Sequence, residues 1–209
     1  METFISFFPL NLIVYPNESL NLHIFEPRYR QLVNECLETG KTFGIPAFIN
    51  NKLPGLGTEV QIVELSKRYE DGQMDIKTKA LRVFKIVTFE NPVVGKLYSG
   101  GKIAYQKVIE PEFGVIPELM KQLELLQILL QSKIKFDTYE PYFSYQIAHK
   151  IGLLMEDEYK LLQMYEETER QRFILKHLNK VIPVMTEMDR AKERIKLNGH
   201  FKNLDPLNL

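Results

Sequence analysis

The hydrophobic period of the chain changes once along its length, between Pro111 and Pro117. Before that point apolar residues come in short runs that alternate or stop at proline, as strands do. After it they recur every three or four residues, as in helices packed on one face. This order predicts an α+β protein with a β-rich unit over residues 1–112, a helical bundle over 113–200 and a frayed tail over 201–209.

Within the β region, residues 4–10 and 12–15 are apolar runs broken by Pro9 and Pro16, and Leu20, Leu22 and Ile24 alternate with Asn21 and His23 as in a half-buried strand. Residues 58–65 and 74–86 carry further strand signals, and Asp71-Gly72 between them predicts a type I′ hairpin turn. One helix interrupts the strands. Pro27 suits its first position, where a missing N–H costs nothing, and Gly40 is placed to close it in the left-handed conformation. Tyr29, Leu32, Val33, Cys36 and Leu37 form one apolar stripe along it, so Cys36 reads as a small apolar filler.

Beyond Pro117, Leu119, Leu123, Leu126 and Leu130 mark a first helix, with shorter ones expected over 141–151 and 157–165. Thr168 and Gln171 have the spacing of a capping box. They open the longest helix, in which Ile174, Leu178, Val181, Met185 and Met188 step by four and three. Pro183 lies inside it and predicts a kink or break.

The composition restricts function more by exclusion than by assignment. Lys plus Arg and Asp plus Glu both number 27, so no global field draws the chain to phosphate backbones or anionic membranes. The single cysteine cannot form an intrachain disulfide, which suits a reducing compartment and predicts the cytoplasm. No apolar run reaches the ~20 residues that span a bilayer as a helix. The apolar start lacks a basic leader and contains Pro9, so it reads as a strand, not a signal peptide.

Motifs that carry chemistry fail on inspection. Gly40-Lys41-Thr42 resembles the end of a phosphate loop, but Glu35 stands where the first glycine belongs, and a helix leads into a strand instead of the reverse. His23, His149, His177 and His200 are scattered without zinc-ligand spacing, so neither metal nor cofactor is expected. Neither Ser99 nor Ser144 sits in a nucleophile elbow. The acidic groups Glu156-Asp157-Glu158 and Glu166-Glu167 fall at helix starts, where the macrodipole favours negative charge.

Phe8-Pro9-Leu10, Tyr15-Pro16, the run Ile24-Phe25-Glu26-Pro27-Arg28-Tyr29, and Phe43-Gly44-Ile45 together resemble the amino-terminal substrate-binding domain of Lon proteases. The strand through Arg82 and Phe84, and later Lys160-Leu161-Leu162 and the segment from Arg170 to Leu175, resemble the same family's continuation. Two departures stand out: Ala80 replaces a glycine usual in the family, and Val83 separates Arg82 from Phe84, which puts that strand's register or bulge in question. The zinc-binding cysteine pairs of relatives that act as ubiquitin-ligase receptors are missing.

The resemblance implies a PUA-like small β-barrel with one inserted helix, followed by a helical bundle. It also implies a stand-alone, non-catalytic relative without the ATPase or the Ser–Lys peptidase. Its expected partners are unfolded or apolar protein segments, and a separate protease or chaperone would receive them. Homo-oligomer formation stays open. RNA binding is the alternative, since PUA-like barrels can serve it; its best support is the basic run Arg190, Lys192, Arg194, Lys196 and Lys202, and the zero net charge counts against it. Phe25 and Tyr29, beside the helix start, and Phe48, Tyr69, Phe89, Tyr98 and Tyr105, in loops or at strand ends, are the candidate peptide-binding aromatics.

Overall fold

The structure, a computed structural model, describes residues 2–107, 114–139 and 142–200, the last four as backbone only. The expected boundary at 112/113 and the tail over 201–209 lie outside the described residues. In order the elements are β1 (Glu2–Phe7), β2 (Ser19–Ile24), α1 (Pro27–Thr39), β3 (Phe43–Pro46), β4 (Leu56–Arg68), β5 (Met74–Ile86) and β6 (Ser99–Tyr105), then α2 (Pro117–Leu130), α3 (Phe143–Ala148), α4 (Met155–Gln163) and α5 (Glu167–His200). They form two compact units: Met1–Glu110 with Leu154–Tyr165, and Pro111–Leu153 with Glu166–Leu209.

In the first unit the sheet closes on itself. The strand order is β2-β5-β4-β3-β1-β6, and β6 pairs back onto β5, so five strands make a barrel and β2 is an extra strand on its flank. Closure needs one parallel pair, β1 with β3, which the crossover through β2 and α1 provides. Inside, Ile5, Phe7, Phe84 and Ile103 form one buried cluster, with the Phe7 and Phe84 rings stacked 5.9 Å apart. A Cβ added at Gly44 or at Gly57 would lie 2.7 Å from the Phe84 ring, so this ring leaves room only for glycine beside it.

The longer half of β4 and the first half of β5 extend beyond the barrel and, with β2, form a three-stranded ribbon. α1 covers the inner face: Tyr29, Leu32, Val33 and Cys36 pack in a cluster with Ile24, Met74 and Ile76. The helix starts at Pro27 and ends where Gly40, at φ 68°, donates its N–H to the Cys36 carbonyl at 2.9 Å, as the sequence predicts.

The β4–β5 hairpin forms where expected, but its turn is not type I′. Only Gly72 has a positive φ there, while Tyr69 N–H bonds the Gln73 carbonyl and Gly72 N–H the Tyr69 carbonyl. Glu70, Asp71 and Gly72 thus form a three-residue loop closed by one left-handed glycine. The register question at Ala80 is resolved as a bulge. Glu59 pairs with Arg82 and Val60 with Ala80, which leaves Leu81 as the extra residue.

α4 belongs to this first unit, although its place in the chain, after the change of period, predicts a helix of the bundle. The Tyr159 hydroxyl fastens it by donating to the Pro54 carbonyl at 3.0 Å and accepting the Leu56 N–H at 3.2 Å.

The second unit is built on α2 and α5, with Leu119, Leu123 and Leu126 buried on one and Ile174, Leu178 and Ile182 on the other. The predicted capping box does not form: Thr168 is already inside α5, and Gln171 is committed to the Gly114 carbonyl and the Ile116 N–H. Nor does Pro183 break α5, which runs unbroken through it. Its ring is on the exposed side, where water can take the orphaned carbonyl's hydrogen bond.

Candidate functional site

One cluster of chemistry-bearing groups lies on the flank of the barrel. On β2 alternate residues point away from α1, so His23 faces out, and the pairing of β2 with β5 sets it opposite Asp75. Its Nδ1 lies 2.6 Å from Asp75 Oδ1 and its Nε2 2.8 Å from the Gln73 amide oxygen. The Tyr69 hydroxyl donates to the other Asp75 oxygen at 2.7 Å. The hydrogen bond to Asp75, then that to Gln73, raises the His23 pKa above its ordinary value, and the reciprocal bonds from His23 and Tyr69 lower that of Asp75.

Two of the seven predicted aromatics meet at this imidazole. Phe25 stacks on it with centroids 6.1 Å apart, and Tyr69 meets it edge-on at 5.8 Å under the Lys67 ammonium. Phe25 is 59% exposed, the more accessible of the two. In the sequence His23 stands only as one of four scattered histidines, because its partner lies across a strand pair whose register no local signal reports.

The other five aromatics are dispersed. Tyr29 is buried against Phe8, with centroids 3.9 Å apart. Tyr98 is buried too, although it lies beside a loop, because Glu35 accepts its hydroxyl at 2.6 Å. Phe48 is half-buried, with its N–H on the Leu10 carbonyl. Phe89 is exposed on one side and stacks on Phe7 with the other, at 6.0 Å. Tyr105 lies 3.7 Å beneath the Arg82 guanidinium, which pairs at 2.7 Å with the buried Glu59. Burial raises the Tyr105 pKa, assisted by the charge of Glu59.

A cavity of about 460 Å³ opens between β1 and α1 and is lined by Ser6, Glu35, Cys36, Thr42, Lys96 and Tyr98. Its charged groups pair with each other: Lys96 reaches both Glu35 oxygens at 2.8 Å. Burial alone would raise the Glu35 pKa, but the hydrogen bonds from Lys96 and Tyr98 outweigh it and hold the carboxyl ionised. In the helical unit a shallow groove of about 500 Å³ runs past Leu125, Ile182, Pro183 and Arg190. Among the described residues no group of three or more His, Cys, Asp or Glu side chains is placed to hold a metal ion. No helix among them is long and apolar enough to cross a membrane.

The family model for the substrate-binding domain of ATP-dependent protease La (LON) matches residues 5–180. The chain belongs to this LON substrate-binding domain family. Solved LON-type domains share its fold. A Lon N-terminal domain protein from Xanthomonas campestris aligns at TM-score 0.66 and 23% identity, covering 83% of this chain and 98% of that one. The N-terminal domain of a Mycobacterium avium complex Lon protease aligns at TM-score 0.58 and 14% identity, covering 85% and 98%. No curated protein sequence matches the chain.

Proposed function

We propose that this chain recognises unfolded or apolar segments of proteins without chemistry of its own, and passes them to a separate protease or chaperone in the cytoplasm. The match of the LON substrate-binding model to residues 5–180 carries this reading. The exposed apolar side chains on the barrel's flank support it: Phe25, Val63, Leu65 and Leu81 are 59%, 61%, 37% and 38% exposed. Isolated exposed apolar groups are ordinary, but four on one ribbon and its bulge suit capture of apolar sequence. The aromatic and apolar lining would contribute affinity, and the polar groups around His23 would set orientation.

The test is titration of the purified protein with an alkylated, permanently unfolded model protein, with the same protein in its folded form, and with a single-stranded RNA. Saturable binding of the unfolded form alone is expected. No binding at high micromolar concentration would remove the recognition reading, and a salt-sensitive response to RNA alone would replace it with the nucleic-acid one. Co-purification of the chain with a protease in a substrate-dependent manner would support the delivery step, and its absence would remove that step only.

A further inference from the structure

The ribbon has two strand edges without a strand partner among the described residues, and they differ in their defences against the addition of another strand. β4 beyond Val60 pairs only with β5. Its free edge is interrupted by register shifts that leave Val63 and Ser66 unpaired, and it carries Glu64, Lys67 and Arg68. Bulges and charges of this kind are how natural sheets prevent another strand from adding. The outer edge of β2 has neither defence. Its six residues pair with β5 in unbroken register from Ser19↔Lys79 to Ile24↔Met74, and Ser19–Ile24 holds no proline, lysine or carboxylate.

β2 is also held rigidly from its paired side. At one end Lys79 donates to the Asn17 carbonyl at 2.6 Å, in the middle Thr78 donates to the Leu20 carbonyl at 3.2 Å, and at the other end His23 bonds Asp75 and Gln73. An antiparallel strand aims every second residue's N–H and C=O at its neighbour and the others away from it. β2 therefore presents a fixed row of donors and acceptors to solvent, and a ligand need not order it first. The side chains beside that row alternate. Leu20 and Leu22 are only half-buried on the α1 side, Asn21 and His23 are exposed on the other, and Phe25 stands exposed where the strand ends.

We propose that the free edge of β2 is a strand-addition site, which binds an extended polypeptide segment with apolar residues at alternate positions. The segment's backbone completes the ladder beyond β2, its apolar side chains continue the half-buried row of Leu20 and Leu22, and Phe25 covers its end. This deepens the recognition reading above and rests on it: the main-chain ladder accepts many sequences, as binding of unfolded protein requires, and the alternating rows select for apolar content.

The test uses the full chain and a fluorescent synthetic heptapeptide of alternating threonine and valine. Two further versions carry N-methyl groups on every second residue, in one version on the odd positions and in the other on the even ones. The unmodified peptide is expected to bind. One methylated version, whose methyl groups point at β2, should lose on the order of 100-fold in affinity through about three lost backbone hydrogen bonds, while the other keeps most of it. Hydrogen exchange should show the alternate amides of residues 19–24 that face away from β5 gaining protection on binding and those of 61–68 unchanged.

Equal affinities of all three peptides, or protection gained at 61–68 and not at 19–24, would overturn the edge assignment while recognition of unfolded protein stood. Protection of these outward-facing amides without any ligand, in a chain that light scattering shows to be dimeric, would overturn it in favour of a second copy. Failure to bind both the peptide and unfolded protein would remove the recognition reading and the edge with it. Because the decisive comparison lies between two peptides, it does not depend on a variant that folds.

Discussion

Arg170 lies 2.9 Å from Glu167, one turn away on α5, with both side chains almost wholly excluded from solvent at 2% and 3% exposure. Glu167 also accepts the Ser144 N–H and hydroxyl, both at 2.8 Å, so the pair ties α3 to the start of α5. A buried ion pair adds little over a well-packed apolar pair, but losing one partner strands the other's charge. Arg170→Met should cost about 3 to 5 kcal/mol, read from denaturant unfolding. Arg170→Met with Glu167→Gln should cost less than the sum of the two single changes. Additive losses would mean that the two charges do not depend on one another.

Gly44 and Gly57 both face the Phe84 ring, yet they should respond differently to a methyl group. A Cβ on Gly57 would lie 2.7 Å from the Ile45 carbonyl oxygen and the Pro46 Cα as well as from the ring, and backbone atoms cannot give way. At Gly44 the near atoms belong to the Phe84 and Phe7 side chains. Each glycine-to-alanine change should destabilise by about 1 to 3 kcal/mol. In combination with Phe84→Leu, Gly44→Ala should show strong favourable coupling in a double-mutant cycle and Gly57→Ala little. Equal coupling would contradict this packing.

What the sequence makes legible here are the elements whose signals are local. Pro27, Gly40 and the spacing of Tyr29, Leu32, Val33 and Cys36 define α1 within its own segment, and the helix is found where they put it. The barrel's closure has no local signal: Glu2 pairs with Ala104, and Phe7 with both Ser99 and Gly44. The LON resemblance supplies that closure, which periodicity does not. Turn type is not legible locally, because Asp71-Gly72 fits both a two-residue and a three-residue loop, and only the register of β4 on β5 decides between them. At the candidate site Phe25 and Tyr69 were visible as aromatics at element ends, but His23, which joins them, depends on its cross-strand partner Asp75.

Cys36 is buried on the inner face of α1, and that burial pushes its thiol up to about 11. The nucleophile toward disulfide reagents is the thiolate, so at neutral pH the folded protein should react far more slowly than the unfolded chain. Labelling then proceeds through opening of the structure and reports its free energy. Gly57→Ala, which weakens the barrel without touching Cys36, should speed labelling in step with its loss of stability. Rapid labelling of the unmodified protein, insensitive to this change, would show that Cys36 is reached through the neighbouring cavity instead.

The His23–Asp75 pair gives the barrel's flank a defined pH response. The folded pKa of His23 is raised, first by its hydrogen bond to Asp75 and then by that to Gln73. Its contribution is therefore complete below the ordinary imidazole value of about 6.5 and disappears as pH rises through the higher folded value. Asp75 is shifted down, first by His23 and then by Tyr69, so its share is present above the ordinary aspartate range and fades as pH falls through the folded value. The pair is thus strongest in mildly acidic solution. NMR titration of the imidazole should give a pKa above that of a free histidine, brought back toward it by Asp75→Asn and part of the way by Gln73→Ala. The stability deficit of His23→Gln relative to the unmodified protein should shrink as pH rises through the folded pKa. An imidazole that titrates at its ordinary value in the unmodified protein, or a deficit that does not change with pH, would show that the geometry around Asp75 does not hold in solution.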